Sequence, residues 1–360
     1  MAQELYEFEH TLPILHSTIN DMKKILFLIV ILIPCLTVKA QYTIKTNNPA
    51  YKRYYDSLKT MDYKYKFPIL AKKAYKKGFD VPFPLGIGAN YFAQRQDINI
   101  STIEIGLNDN PLTDVSDLIK FGAIIGETHA FTIRPDIWVF PFLNVYSIIG
   151  TGHTVTDVSL VDPINFSTSQ RFTANSLGVG FTAAGGFGPV WVAVDNNYNW
   201  ANVSVLTDPV PASILCIRVG HTFQDKSKPD RNVAVWFGPF RQKIKSDTEG
   251  NVPISSIFPD LTPGKEDEFI EDLNNWYNNL PPPRQAALQP LYQRLIDYFE
   301  GNDPGDSNIH YKLNKRVAEP WNMVFGAQYQ HNKRLQIRTE LGTFGKRTQF
   351  LISANYRFLW

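Results

Sequence analysis

From Pro84 onward the chain keeps returning to a period of two, and the two faces this creates differ in chemistry. LGIGANY places Leu85, Ile87, Ala89 and Tyr91 opposite Gly86, Gly88 and Asn90. SLGVGFTA places Leu177, Val179, Phe181 and Ala183 opposite Ser176, Gly178, Gly180 and Thr182. WNMVFGAQYQ (321–330), LQIRTELGT (335–343) and FLISANYRFLW (350–360) repeat the pattern. Such alternation means strands with unlike faces. A soluble sandwich or lipocalin-like barrel also alternates, but its solvent face carries Lys, Glu and Thr freely. Here the polar face holds Gly, Ser, Asn, Gln and an occasional Arg or Glu. Small neutral residues suit a crowded lumen, and unbroken large apolar ones suit lipid. Trp321 and Tyr329 lie on one face, as do Phe350 and Phe358. Each pair is separated by a rise of about 20 Å along a tilted strand, the height of an apolar band edged by aromatic girdles.

The bulk numbers agree with a barrel. A net charge of +2 projects no field toward nucleic acid, and mean hydropathy is only −0.21. No run of about 20 apolar residues follows residue 40, so helical spans are excluded there. The 24 Phe, 17 Tyr, 22 Gly and 24 Pro favour strands and turns. From Met22 the chain reads MKKILFLIVILIPCLTVKAQ: a basic start, a short apolar run, then Val38-Lys39-Ala40. This is a secretory signal, 22–40, with cleavage expected after Ala40. Residues 1–21 then read as an upstream extension or mis-assigned start. Pro34 precedes Cys35 and disfavours a lipidation motif. The mature chain keeps only Cys216, so no intrachain disulfide is available.

With its leader and its last strand, FLISANYRFLW, the chain resembles the outer-membrane β-barrel proteins of Gram-negative bacteria. The resemblance covers roughly 84–245 and 320–360 and singles out no subfamily. It implies location in the outer membrane, contact with outer-membrane lipid, and a final strand ending in the periplasm. It also implies that Tyr356, Phe358 and Trp360 are the signal read by the barrel-assembly machinery.

The expected fold is all-β, a transmembrane antiparallel up-and-down barrel over 84–360. Strands are expected near 84–94, 97–107, 121–134, 137–149, 152–161, 172–184, 189–199, 212–223, 232–245, 320–330, 334–343 and 348–360. That is about twelve, an even number; ten, with 84–107 outside the wall, is the alternative. Gly150-Thr151-Gly152, Gly185–Gly188 and His331–Lys333 read as periplasmic turns, and 108–120 and 224–231 as longer links on that side. The connections 162–171, 200–211 and 246–319 read as outer loops.

Two segments stand apart. Residues 41–83 form a basic periplasmic arm, with ten basic and three acidic residues between 41 and 80. Tyr51, Tyr54, Tyr55 and Leu58 have helical spacing within it. The loop 246–319 has 13 acidic and six basic residues. Its 264–300 part predicts a helical hairpin: an acidic first turn, apolar stripes at Phe269–Leu280 and Leu288–Phe299, and Pro281-Pro282-Pro283 between them. Trp276, Tyr277 and Tyr292 are its candidate surface-binding residues.

Chemistry leaves little trace. No nucleophile, base and orienting acid are predicted to converge, so neither catalytic residues nor an enzyme is expected. No cluster of Cys, His, Asp or Glu has metal-ligand spacing, and GNDPGDSN (301–308) lacks the closing Glu of a calcium loop. GFTAAGGFG (180–188) has no lysine or helix start after it, so it cradles no phosphate. No metal or cofactor is therefore expected. Parity points Glu104, Arg218, Arg338, Glu340 and Arg357 into the lumen. They form either a charge-balanced filling or a constriction selecting small solutes. Two functions follow: a passive channel or narrow transporter for small solutes, or a surface-binding or structural barrel whose hairpin engages a partner. Oligomeric state is not legible.

Overall fold

The computed structural model describes residues 49–359 apart from 109, 118, 163–165, 188, 245–246, 254–265 and 300–306. The leader region, residues 1–21 and Trp360 lie outside the described residues. Thirteen strands are present: β1 (Leu85–Leu107), β2 (Thr113–Asp114), β3 (Lys120–Phe140), β4 (Leu143–Asp162), β5 (Phe166–Phe187), β6 (Val190–Val203), β7 (Val210–Gln224), β8 (Asn232–Ile244), β9 (Asp247–Pro253), β10 (Asn308–Val317), β11 (Trp321–Gln330), β12 (Leu335–Thr343) and β13 (Arg347–Phe358).

Ten of them, β1, β3–β8 and β11–β13, form a closed antiparallel wall. Closure runs from Leu85 opposite Phe358 to Gln96 opposite Arg347. Closing the sheet leaves the wall without an edge.

The number corrects the expectation of twelve. The two strands expected over 84–107 are one, and the three expected over 121–161 are β3 and β4. One strand was expected to end at 134, yet β3 runs on through Pro135; a proline lacks only one ladder donor, and the wall tolerates that loss. Gly150-Thr151-Gly152 lies inside β4, not in a turn. Gly150 is small because a Cβ there would meet the Phe131 carbonyl oxygen at 2.9 Å. The ten do not arise by leaving 84–107 outside, since Leu85–Asp97 pairs within the wall. The 108–119 link therefore joins β1 to β3 at the end opposite the termini.

Short connections follow β3, β5, β7 and β11 at the end that also holds Leu85 and Phe358; this is the turn end. At the far end the wall changes composition. The Asp97 amide donates to the Lys346 carbonyl, and the Ala318 amide donates to the Asp97 carbonyl, both at 2.9 Å. Above that point β1 leaves β13 and pairs with β10, from Ile98 opposite Val317 to Leu107 opposite Ile309. Strand β10 pairs with β9, and β9 meets the β6–β7 connection through Leu206 opposite Gly250. A collar of fewer strands thus stands on the wall.

The faces settle which way the sheet looks. Ile87, Phe131, Ile149, Leu177, Val179, Phe237, Leu341 and Ile352 are all exposed on the outer surface, with Leu177 57% accessible. Asp136, Asn144, Asp195, Arg218, Asn322, Glu340, Arg347 and Arg357 are buried within. Apolar outside and polar inside is the reverse of a water-soluble barrel. Toward the far end the outer surface turns polar. There Arg95 pairs with Glu127 at 3.0 Å, and the His129 ring stacks on His153.

Where it is described, the segment 41–83 is folded. Helices α1 (Pro49–Thr60) and α2 (Ala71–Lys76) bury Leu58, Ala71, Ala74, Tyr75 and Val81 against one another, with Tyr54, Tyr55, Tyr63 and Phe79 around them. The tyrosine–leucine stripe of α1 supplies this core. The unit docks on the turn end: Lys333 pairs with Asp80 at 2.6 Å, the Arg357 guanidinium donates to the Phe83 carbonyl, and the Ile69 amide donates to the Val139 carbonyl. Burial, then the Asp80 carboxylate beside it, pushes the Tyr54 phenol up, so it remains a donor to Asp80.

Between β9 and β10 lie α3 (Glu266–Asn278) and α4 (Pro282–Phe299). The Tyr277 and Tyr292 rings stack at 3.9 Å, and the Tyr277 hydroxyl donates to the Gln285 carbonyl.

Candidate functional site in the barrel lumen

Inward positions follow directly from register: Gly86 lies opposite Arg357 and Asp136, Asn90 opposite Ser353, and Trp191 opposite Gly186 and Gly220. The inner face therefore alternates between glycine and large side chains. The large ones lie flat across the glycines of the next strand. A Cβ at Gly180 would come 2.6 Å from the Tyr146 ring, and at Gly326 or Gly220 it would enter the indole of Trp236 or Trp191. The inner glycines are covered rather than open.

Charged chords cross the lumen between strands that are not neighbours. Glu340 on β12 accepts from Arg218 on β7 at 2.7 Å and from the Trp236 indole at 2.7 Å, and it pairs with Arg338 at 2.5 Å. Asp195 on β6 accepts from the Tyr146 hydroxyl of β4 at 2.9 Å and from Thr182 at 2.6 Å, with Arg218 at 3.8 Å. Asp136 on β3 accepts from Arg357 on β13 at 2.5 Å, from Asn144 at 2.7 Å and from Asn355 at 3.1 Å. Arg134 stacks over Tyr146 at 3.7 Å and donates to Asn144 at 3.3 Å. Toward the far end Cys216, Phe240 and Val324 make an apolar plug. Beyond it Arg347, 2% accessible, donates to Asn322 at 2.9 Å. On the turn-end side a cavity of about 170 Å³ remains, lined by Arg134, Arg218, Arg338, Arg357 and three tryptophans, with Pro82 of the N-terminal unit at its edge.

Of the residues singled out by parity, Arg218, Arg338, Glu340 and Arg357 belong to this network. Glu104 does not. It lies on the part of β1 beyond Asp97, opposite Lys312 of β10 and Asp114 of β2, because β1 continues past the wall into the collar. Asp136, Asp195, Tyr146, Arg134 and Arg347 were not anticipated. The first and fourth flank Pro135, where the strand was expected to end. Asp195 follows WVAV, which is apolar on both faces and so hides its parity.

The aromatic candidates of the hairpin are also placed differently from a free binding face. Tyr277 and Tyr292 pack on each other, the Tyr292 hydroxyl donates to Asn274, and Trp276 is half-buried with its indole nitrogen enclosed. Tyr356 is exposed on the outer wall and Phe358 pairs beside Leu85. Among the described residues no group of three or more His, Cys, Asp or Glu gathers at metal distance.

No protein-family model matches the chain, and no curated protein matches its sequence. Solved structures do. The β domain of the Bordetella autotransporter BrkA is 7% identical, with 76% of this chain and 100% of that chain covered and a TM-score of 0.32. The transport unit of the autotransporter AIDA-I from Escherichia coli is 8% identical, covering 87% and 100%, with a TM-score of 0.32. The Ralstonia pickettii toluene transporter TbuX is 10% identical, covering 89% and 97%, with a TM-score of 0.29. The closed β-barrel itself is given by the strand pairing of this chain. Likenesses this distant carry no weight for what the lumen does.

Proposed function

We propose that the protein is an outer-membrane β-barrel with a filled lumen, an anchor that holds its collar and the α3–α4 hairpin at the cell surface. On this reading the leader over 22–40 is cleaved after Ala40 and the turn end faces the periplasm. Tyr356, Phe358 and Trp360 serve the barrel-assembly machinery, and lipid contacts the apolar band. One observation carries it: Arg218 and Arg338 converge on Glu340 from different strands, and all three are buried or nearly so. Breaking such a buried set by removing one partner costs about 3–5 kcal/mol, so it does not part readily for passing solute. The inward glycines Gly180, Gly220 and Gly326 are covered by the rings of Tyr146, Trp191 and Trp236.

The test is recording from residues 41–360 in planar bilayers. A filled barrel gives a silent trace, and reproducible conductance steps would refute it. The second reading, a narrow transporter for small solutes, draws on the 170 Å³ polar cavity. It requires solute flux into liposomes from a chain whose 41–83 unit has been removed, and fails if that chain is as tight as the full one.

A further inference from the structure

The cavity at the turn end carries an uncancelled charge. Four guanidinium groups line it, those of Arg134, Arg218, Arg338 and Arg357. Three carboxylates answer them, and each is already engaged: Asp136 by Arg357, Glu340 by Arg218 and Arg338, and Asp195 by Tyr146, Thr182 and the more distant Arg218. Among the described residues, four cations against three anions leave one positive charge over. It resides on Arg134, which has no carboxylate within 4.0 Å among the described residues and is held by an amide oxygen and a tyrosine face. The Nε atoms of Arg134 and Arg338 are buried and donate to nothing.

We propose that this cavity is a binding site for a small, singly charged carboxylate, seated on Arg134 with Arg338 beside it. A carboxylate fits because a guanidinium presents two parallel donors that match its two oxygens. One negative charge matches the surplus of one. Trp138, Trp191 and Trp236 line the same cavity and offer apolar wall for a short hydrocarbon body. Arg134 is half-buried and faces an amide and a ring instead of a carboxylate, so an anion that also excludes water gains most there. The site does not depend on whether the barrel conducts.

The experiment uses residues 41–360 folded in detergent, with sodium chloride replaced stepwise by sodium acetate at fixed ionic strength. Emission of the cavity tryptophans is the readout. A saturable change is expected, with a dissociation constant raised about tenfold or more in Arg134→Gln, since each tenfold step corresponds to loss of one strong charge-assisted contact. Arg134→Lys keeps the charge without the fork and should weaken acetate by less. Arg95→Gln, on the outer wall, should match the wild type. The heat-dependent gel shift of each variant establishes that it is folded. The proposal is overturned if acetate gives no saturation, if folded Arg134→Gln binds it as well as the parent, or if inorganic phosphate binds more tightly than acetate.

Discussion

At Gly326 the absence of a side chain is what lets Trp236 lie against the wall and donate its indole hydrogen to Glu340 at 2.7 Å. One methyl at that glycine therefore reaches the charged network two steps away. Gly326→Ala is expected to destabilise the barrel by about 1–3 kcal/mol, the usual cost of overpacking a filled interior. Unfolding in denaturant at fixed lipid composition measures it. In a Trp236→Leu background the same substitution should cost much less, because the indole it strikes is gone. An undiminished cost would show that Trp236 does not fill that space. The same residues show what the sequence leaves hidden. Parity puts Arg218, Arg338, Glu340 and Arg357 on the inner face, since their neighbours are apolar on one side only. Asp195 escapes because Val190, Trp191, Val192, Ala193 and Val194 are apolar on both sides. Asp136 escapes because it falls in the gap between the strands expected over 121–134 and 137–149, and Arg134 because it was placed at the end of one.

The elements differ in how local their causes are. Wall-strand positions after residue 172 are close to those expected, because the turns there are bounded by Gly, Pro, Asn or Asp. Errors collect in 84–161, where long strands run past the lipid and a period of two cannot tell wall from collar. Strands β9 and β10 were not anticipated, since their pairing depends on β1 arriving from far away in sequence. The N-terminal helices pose a sharper question. Their docking rests on Lys333 with Asp80 and on Gln224 with Tyr55, while Tyr54 holds Asp80 from within the unit. Lys333→Ala should loosen the unit while leaving the barrel intact. Trypsin should then cut among Lys59, Lys64, Lys66, Lys72 and Lys73 several-fold faster, roughly in proportion to the population of the opened form. Cleavage at the parental rate would mean the ion pair does not hold the cap.

Among the described residues, the tryptophans of the wall fall on two sides. Trp200 and Trp321 are exposed on the outside, while Trp191 and Trp236 lie within. In bilayers of brominated lipid the first pair should be strongly quenched and the second nearly untouched, as variants with one outer tryptophan changed to Phe would resolve. Equal quenching of both pairs would contradict an apolar outer face against hydrocarbon.

The change of partner at Asp97 joins the beginning of the wall to its last third. Below that residue β1 needs β13, and above it β1 needs β10; neither exists until most of the polypeptide has been threaded. Wall closure and collar therefore both wait on residues beyond 307, and a polypeptide cut short of them can form neither.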